Sequence, residues 1–440
     1  MSNDSFDNDP FLLELLGKRI SGARALAVGF YVNKEDKSRT EEYLDELTEL
    51  ASSCGIQVLF RNVFSLKKID SSTYLSKGHL ENLGNFIKEE NVSVVLIDEE
   101  ITASQQRNLE KYLGLTVIDR TELILEIFSS GAATSEARLQ IELAKARYIF
   151  PRLKRMWGHL SRQSSSGGVG LKGEGEKQIE LDRRMLRDRV FKLKMRLKES
   201  IKNRVTGQSL RRKNNMPSFA IVGYTNSGKS TLLNLLTQAG VYAENKLFAT
   251  LDTKTKRVVL PNKTQILLTD TVGFIRKLPH TLIAAFRSTL ETAFRDDVLI
   301  HTVDVSNPMA EEHVATTYAL IKELGIVSPN IITVLNKIDI CDDRRILNKL
   351  RISCPNPILF SALTGEGLSD LLAAMEKESA RLSERMLLRF RFEDYGFFSE
   401  LLEKGLVISH SYDEDNWLSV EALIPEEIKK KFLPYKKRCS

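Results

Sequence analysis

The chain is 440 residues long, with 42% hydrophobic and 28% charged residues and a formal net charge of +6. This is globular usage, which excludes collagen, mucin-like stalks and bulk disorder, and at roughly 150 residues per domain it implies about three domains, each with its own core. Apolar runs such as Val92–Ile97 fall far short of the ~20 residues that span a bilayer. The acidic start Met-Ser-Asn-Asp-Ser-Phe-Asp has no leader pattern, and Cys54, Cys341, Cys354 and Cys439 form no CxxC pair; a reduced, cytoplasmic setting is expected.

In chain order, residues 1–22 read as a flexible N-terminus. From 23 to 134, β-rich runs at Ala25–Val32, Ile56–Val63, Val92–Ile97 and Leu115–Ile118 alternate with helix-type spacing at Thr40–Cys54, His79–Glu90 and Ser104–Tyr112. Such alternation predicts a small parallel α/β domain. Asp119-Arg120-Thr121 then opens another helix.

Residues 135–213 change period. Leu139, Leu143, Ala146, Phe150, Leu153, Trp157 and Leu160 follow steps of 4 and 3, a heptad seam that Pro151 interrupts. A second seam runs Leu186, Val190, Leu193, Leu197 and Ile201, and a Gly-rich stretch from Ser164 to Glu176 separates the two. The pattern predicts an antiparallel helical hairpin with a flexible tip. Between Lys145 and Lys213 there are 21 Lys and Arg against 6 Asp and Glu, a local net of +15 that leaves −9 for the rest. Such an imbalance is the footprint of a polyanionic partner.

Residues 216–380 carry the chemistry. The β run Ser218–Val222 leads into Gly223-Tyr224-Thr225-Asn226-Ser227-Gly228-Lys229-Ser230, and Thr231 continues into a helix. This is G-x-x-x-x-G-K-[ST] in strand–loop–helix context, where loop amides and the helix N-terminus cradle phosphates. Lys229 would reach the β/γ-phosphates and Ser230 would bind Mg2+. Ile266–Asp270 is a strand ending in an acid. Asp270-Thr271-Val272-Gly273 would place a carboxylate near the metal, through water, and a Gly273 amide on the γ-phosphate. A buried-type strand, Ile331–Leu335, ends in Asn336-Lys337-Ile338-Asp339. The Asp339 carboxylate can accept the paired N–H donors of a guanine edge, which adenine lacks. Asn336 would tie this loop to the phosphate loop, and Lys337 would lie over the base. Ser361-Ala362-Leu363 would offer an amide to the guanine oxygen. All lie at the carboxyl ends of strands, where doubly wound sheets bind ligands. The switch threonine that completes the Mg2+ shell is Thr250, Thr253 or Thr255. Residues 381–440 suggest a small α+β segment, with a helix at Phe397–Lys404 and strands at Met386–Phe392, Leu406–Ser411 and Trp417–Leu423.

Together these readings give an α/β multidomain chain with a Ras-like, mostly parallel doubly wound G domain. The phosphate loop, Phe248-Ala249-Thr250-Leu251-Asp252, Asp270-Thr-Val-Gly-Phe274 and Ser361-Ala-Leu-Thr-Gly365 resemble the HflX GTPases of the Obg-like branch. Upstream, Val117-Ile-Asp-Arg-Thr121, Glu136-Ala-Arg-Leu-Gln140 and Pro151-Arg-Leu-Lys-Arg-Met-Trp157 are similar to that family's N-terminal region. The resemblance implies Thr250 as the switch Mg2+ ligand. It implies GTP hydrolysis with Lys229, Thr250 and Gly273 at the reacting phosphate, and a large-ribosomal-subunit partner. It also implies separation of stalled ribosomes, with the hairpin tip directed at ribosomal RNA. The tip departs from the family pattern, reading Lys172-Gly-Glu-Gly-Glu-Lys177 where Arg-Gly-Pro-Gly-Glu-Thr is usual. Phe274 stands where Ras-like enzymes carry a water-orienting Gln, so slow intrinsic turnover with ribosomal stimulation is expected. The chain is expected to be monomeric and cytoplasmic, with part of it peripheral at the inner membrane face. The competing reading is a signalling switch docked on a protein or anionic membrane; the apolar residues of the hairpin, falling mostly on its seams, count against lipid.

Overall fold

The computed structural model describes residues 23–132, 134–152, 172–211, 217–237, 254–279, 282, 298–325, 330–403, 407–413 and 417–437. They fall into two compact units, Met1–Glu199 with Lys277–Phe286, and Ser200–Arg276 with Arg287–Ser440.

The first unit opens with β1 (Arg24–Tyr31), α1 (Asp36–Ser53), β2 (Gln57–Ser65), α2 (Lys77–Glu89), β3 (Val94–Ile97), α3 (Ala103–Leu113) and β4 (Thr116–Asp119). The strands pair in the order β2-β1-β3-β4, all parallel. β3 reads Val-Val-Leu-Ile and is buried along its length, as a parallel strand covered on both faces requires. Leu26, Val28, Leu83, Val95, Ile97 and Leu109 form the core. Thr102 starts α3 with a capping box, its hydroxyl accepting from the Gln105 amide while Gln105 accepts from the Thr102 amide.

Then come α4 (Arg120–Gly131) and α5 (Ser135–Ile149). Asp119 caps α4 by accepting from the Glu122 amide at 2.8 Å. The same carboxylate accepts from the Ile101 amide, the Tyr148 hydroxyl and Arg152 Nη2 at 3.3, 2.9 and 3.2 Å. Burial and the Glu122 charge push Asp119 up to about 7 against the pull of Arg152. Arg152 also donates to Gln106 and to the Ile101 carbonyl. The α-helical turn stops before Pro151, and Phe150–Arg152 tightens into a 3-10 turn.

Helix α6 (Lys172–Arg211) shortens the expected tip loop, because Lys172-Gly-Glu-Gly-Glu176 is already helical; Ser164 to Leu171 lie outside the described residues. Leu186 and Leu193 are buried and Val190 and Leu197 half-buried, as the seam predicts, and Arg189 donates to Glu142 of α5 at 3.0 Å. Leu181, Met185, Phe191 and Met195, however, are each more than half exposed, so the apolar residues of this helix are not confined to the seam. Leu153, Trp157 and Leu160 lie outside the described residues.

The second unit contains β5 (Ser218–Gly223), α7 (Lys229–Thr237), β6 (Lys254–Val259), β7 (Gln265–Asp270), β8 (Val298–Asp304), α8 (Ala310–Glu323), β9 (Asn330–Asn336), α9 (Arg344–Ser353), β10 (Pro357–Leu359) and α10 (Leu368–Arg381). Its six strands pair as β10-β9-β8-β5-β7-β6, parallel except β6. Phe219, Ile221, Leu232, Ile266, Ile300 and Phe360 lie in its core. After it come β11 (Ser383–Phe390), α11 (Tyr395–Glu403), β12 (Val407–Tyr412), β13 (Leu418–Pro425) and α12 (Glu426–Phe432). The strands form an antiparallel sheet, β11-β13-β12, packed on Phe398, Leu401 and Phe432. No helix of the described residues is long and apolar enough to cross a membrane.

Candidate nucleotide site

β5 and α7 hold the phosphate loop between them. Gly223 has φ 150° and Gly228 φ 93°, and Asn226 between them is left-handed at φ 61°. These turns point successive amides inward, making an anion-binding nest. Space enforces the glycines as well: a Cβ on Gly223 would fall 2.3 Å from the Thr302 carbonyl oxygen, and one on Gly228 2.2 Å from Asn336 Nδ2.

Asn336, at the end of β9, is buried and bridges two segments. Its Nδ2 donates to the Ser227 carbonyl at 2.8 Å, and its Oδ1 accepts from the Ala362 amide at 2.9 Å. One side chain therefore fixes the phosphate loop and the base loop relative to each other. Ser361 is buried, its hydroxyl accepting from the Thr364 amide, while Leu363 is exposed. Because the Ala362 amide is engaged by Asn336, that donor is shared between structure and any base oxygen. Lys337 is left-handed at φ 67°, and its ammonium pairs with Asp304 Oδ2 at 2.6 Å. Asp339 sits on the 3-10 turn Ile338–Ile340, exposed to an incoming base.

At the phosphate end, Lys229 is buried and donates to the Tyr224 carbonyl at 2.6 Å. Burial pushes its ammonium down to about 8, with the Asp270 charge opposing and Lys337 assisting. Ser230 Oγ donates to Asp270 Oδ2 at 2.9 Å. A hydroxyl beside a carboxylate is a hard-oxygen donor set, the kind Mg2+ takes alongside phosphate oxygens and water; these residues fit that ion. Thr271 anchors the next turn by donating to the Ile221 carbonyl at 2.7 Å, and Val272 is buried beside it. Gly273 lies close to the phosphate loop, since a Cβ there would fall 2.9 Å from Thr225 Cγ2 and 3.0 Å from Lys229 Nζ. Thr231 lies in the first turn of α7.

Phe274 is buried, and its backbone meets the phosphate loop. The Phe274 amide donates to the Gly223 carbonyl at 3.0 Å, and the Thr225 amide donates to the Phe274 carbonyl at 2.7 Å. Arg276 is 8% exposed; Ile275 beside it is fully buried and takes the segment inward. Thr255 is committed to the sheet, its hydroxyl 3.1 Å from that of Thr269. Phe248, Ala249, Thr250, Leu251, Asp252 and Thr253 lie outside the described residues.

One participant, His313, carried no recognisable sequence signal, and the part played by the Tyr224 side chain was not legible in the phosphate-loop motif that contains it. The Tyr224 ring stacks on His313 of α8 with centroids 3.6 Å apart and planes at 8°, and its hydroxyl accepts from the Arg276 amide at 2.8 Å. Nothing local to His313 marks it, because the contact is set by how α8 packs beside β5.

A glycine-shaped phosphate loop, a strand-end Asp270 beside Ser230 and an Asn336-braced base loop with Asp339 define a P-loop domain of the GTPase class. Comparison with known proteins agrees. Family descriptions match in succession along the chain: GTP-binding GTPase N-terminal at 41–129, GTP-binding GTPase Middle Region at 131–212, and 50S ribosome-binding GTPase at 218–337. GTPase HflX of Chlamydia pneumoniae is 56% identical over 425 residues, covering 96% of this chain and 90% of that protein. GTPase HflX of Escherichia coli is 35% identical over 406 residues, covering 92% and 94%. Among solved structures, a GTP-binding protein from Sulfolobus solfataricus in complex with GDP is 28% identical, covers 82% of this chain and all of that one, and superposes with a TM-score of 0.42. The chain belongs to the HflX family of GTPases. It binds GTP and hydrolyses it to GDP.

Proposed function

We propose that this ribosome-associated GTPase binds the large ribosomal subunit through its basic 145–213 region and separates stalled ribosomes, with GTP hydrolysis releasing it afterwards. The observation that carries this reading is the +15 charge of that region in a chain whose remainder is −9; a net +7 of it, 13 Lys and Arg against 6 Asp and Glu, lies on the 40-residue helix α6. A long cationic helix neutralises phosphates with little dependence on base sequence, as ribosomal RNA requires. The family description matched by 218–337 names 50S ribosome binding. Mg2+ held by Ser230 and Thr250, with Asp270 acting through water, would neutralise charge on the β- and γ-phosphates when bound. The chain's own residues do the rest: Lys229 meets the transferring phosphoryl group, the Gly273 amide holds its oxygens, and Asn336 and Asp339 orient the base. With a buried Phe274 at the water-orienting position, intrinsic turnover is slow and the large subunit accelerates it.

Density-gradient sedimentation with purified ribosomes and a non-hydrolysable GTP analogue tests the proposal. Co-migration with large subunits and loss of intact ribosomes are expected, both weakening steeply with salt. Intact ribosomes with no bound protein would sink it. The exposed Leu181, Met185, Phe191 and Met195 favour a second reading, an anionic membrane surface met by the same helix. Flotation with anionic vesicles in the absence of ribosomes separates the two.

A further inference from the structure

We infer that Tyr224 and His313 are positioning residues for GTP hydrolysis, forming a latch that holds the segment after Gly273 in register with the phosphate loop. The segment is tied to the loop at consecutive points. Phe274 makes two backbone bonds, to the Gly223 carbonyl and from the Thr225 amide. Two residues on, the Arg276 amide donates to the Tyr224 hydroxyl at 2.8 Å. Tyr224 is 6% exposed and Arg276 8%, so this bond is made away from bulk water, where a lost acceptor leaves a desolvated donor. The ring that carries the hydroxyl is itself fixed. It lies flat on His313 at 3.6 Å, and the Tyr224 carbonyl holds the Lys229 ammonium at 2.6 Å.

One residue thus touches both halves of the γ-phosphate machinery. Its main chain orients Lys229, and its side chain fixes the backbone three residues beyond Gly273, whose Cβ position lies 3.0 Å from Lys229 Nζ. The Gly273 amide is useful only if it points at the phosphoryl oxygens before the reaction begins, since preorganised donors cost no reorganisation in the transition state. Neither side chain needs to touch nucleotide. Tyr224 acts through the Arg276 amide, and His313 acts through the Tyr224 ring. GDP, lacking the γ-phosphate, does not depend on this register.

The test uses the full chain, with GTP hydrolysis followed under single-turnover conditions and nucleotide affinity measured by fluorescent GDP titration. Tyr224→Phe keeps the ring and removes the acceptor. Its hydrolysis rate is expected to fall about tenfold, the loss that accompanies one buried donor left without an acceptor, with GDP affinity changed by less than about twofold. His313→Ala removes the stack and is expected to slow hydrolysis similarly, while His313→Phe keeps a flat ring and restores the rate. Combining Tyr224→Phe with His313→Ala is expected to add little to either alone, because both act through one element. Wild-type rates in Tyr224→Phe would overturn the inference. So would a His313→Phe variant as slow as His313→Ala, or a parallel loss of GDP binding that marks general damage to the phosphate loop.

Discussion

Replacing Asn336 with Ala removes the brace between the phosphate loop and the base loop. Two bonds disappear: Nδ2 to the Ser227 carbonyl at 2.8 Å and the Ala362 amide to Oδ1 at 2.9 Å. The Ser227 side of the brace is buried, so its carbonyl loses a partner without gaining water, a cost of about 2 kcal/mol. Ala362 is half-buried and can recover part of its bond from solvent, so its share is about 1 kcal/mol. The sum, about 3 kcal/mol, corresponds to roughly 100-fold weaker binding of both GDP and GTP. Because Asp339 is untouched, the preference for guanine over adenine should persist among the weakened complexes. Fluorescent GDP titration with ATP competition reads both quantities. An affinity within about threefold of wild type would refute the view that one amide side chain sets the two loops.

Asp339→Asn should weaken GTP at least about 100-fold, by replacing an acceptor with a group that opposes guanine's donors, and should improve binding of xanthosine triphosphate, whose edge offers an acceptor there; a nucleotide competition series checks it. Nucleotide binding should take up protons near pH 9, because the Lys229 ammonium, pushed down to about 8 by burial, regains its proton beside a phosphate; affinity should accordingly decline as pH rises past 8. Calorimetry in two buffers of different ionisation enthalpy measures this, and equal heats at pH 9 would contradict it. Arg152→Ala leaves Asp119 and Gln106 buried with a lost partner, which costs about 3–5 kcal/mol and should lower the melting temperature of the first unit by roughly 10 °C, as read by scanning calorimetry.

Much of this was legible in the sequence because glycine, strand-end acids and β-branched runs leave local marks. The parallel strand Val94–Ile97 is a continuous apolar run, Asn330–Asn336 holds a β-branched stretch from Ile331 to Val334, and the phosphate loop declares itself by its spacing. Strand β6 left no such mark: Lys-Thr-Lys-Arg-Val-Val is an exposed edge whose Val258 alone is buried, so no alternation shows. Helix α9 is similarly quiet, since within its charged stretch Leu350 is the buried residue. α12 is too short for a period to appear. The tip of the basic region read as loop because glycines penalise helix, yet α6 starts at Lys172. In the site, what stayed hidden was long-range. The engagement of Ala362 by Asn336, the burial of Arg276 and the Tyr224–His313 stack depend on chain segments that only the sheet brings together.

Asp119 has a last consequence, for how the first unit opens. The approach to α3 at Ile101, the first turn of α4 at Glu122, and Tyr148 and Arg152 at the end of α5 all terminate on one buried carboxylate. Segments that share a single anchor cannot loosen one at a time. Amide protons at Ile101 and Glu122 should therefore exchange with solvent at a common rate, as one cooperative block, whereas those of the edge strand β2 should exchange independently and sooner.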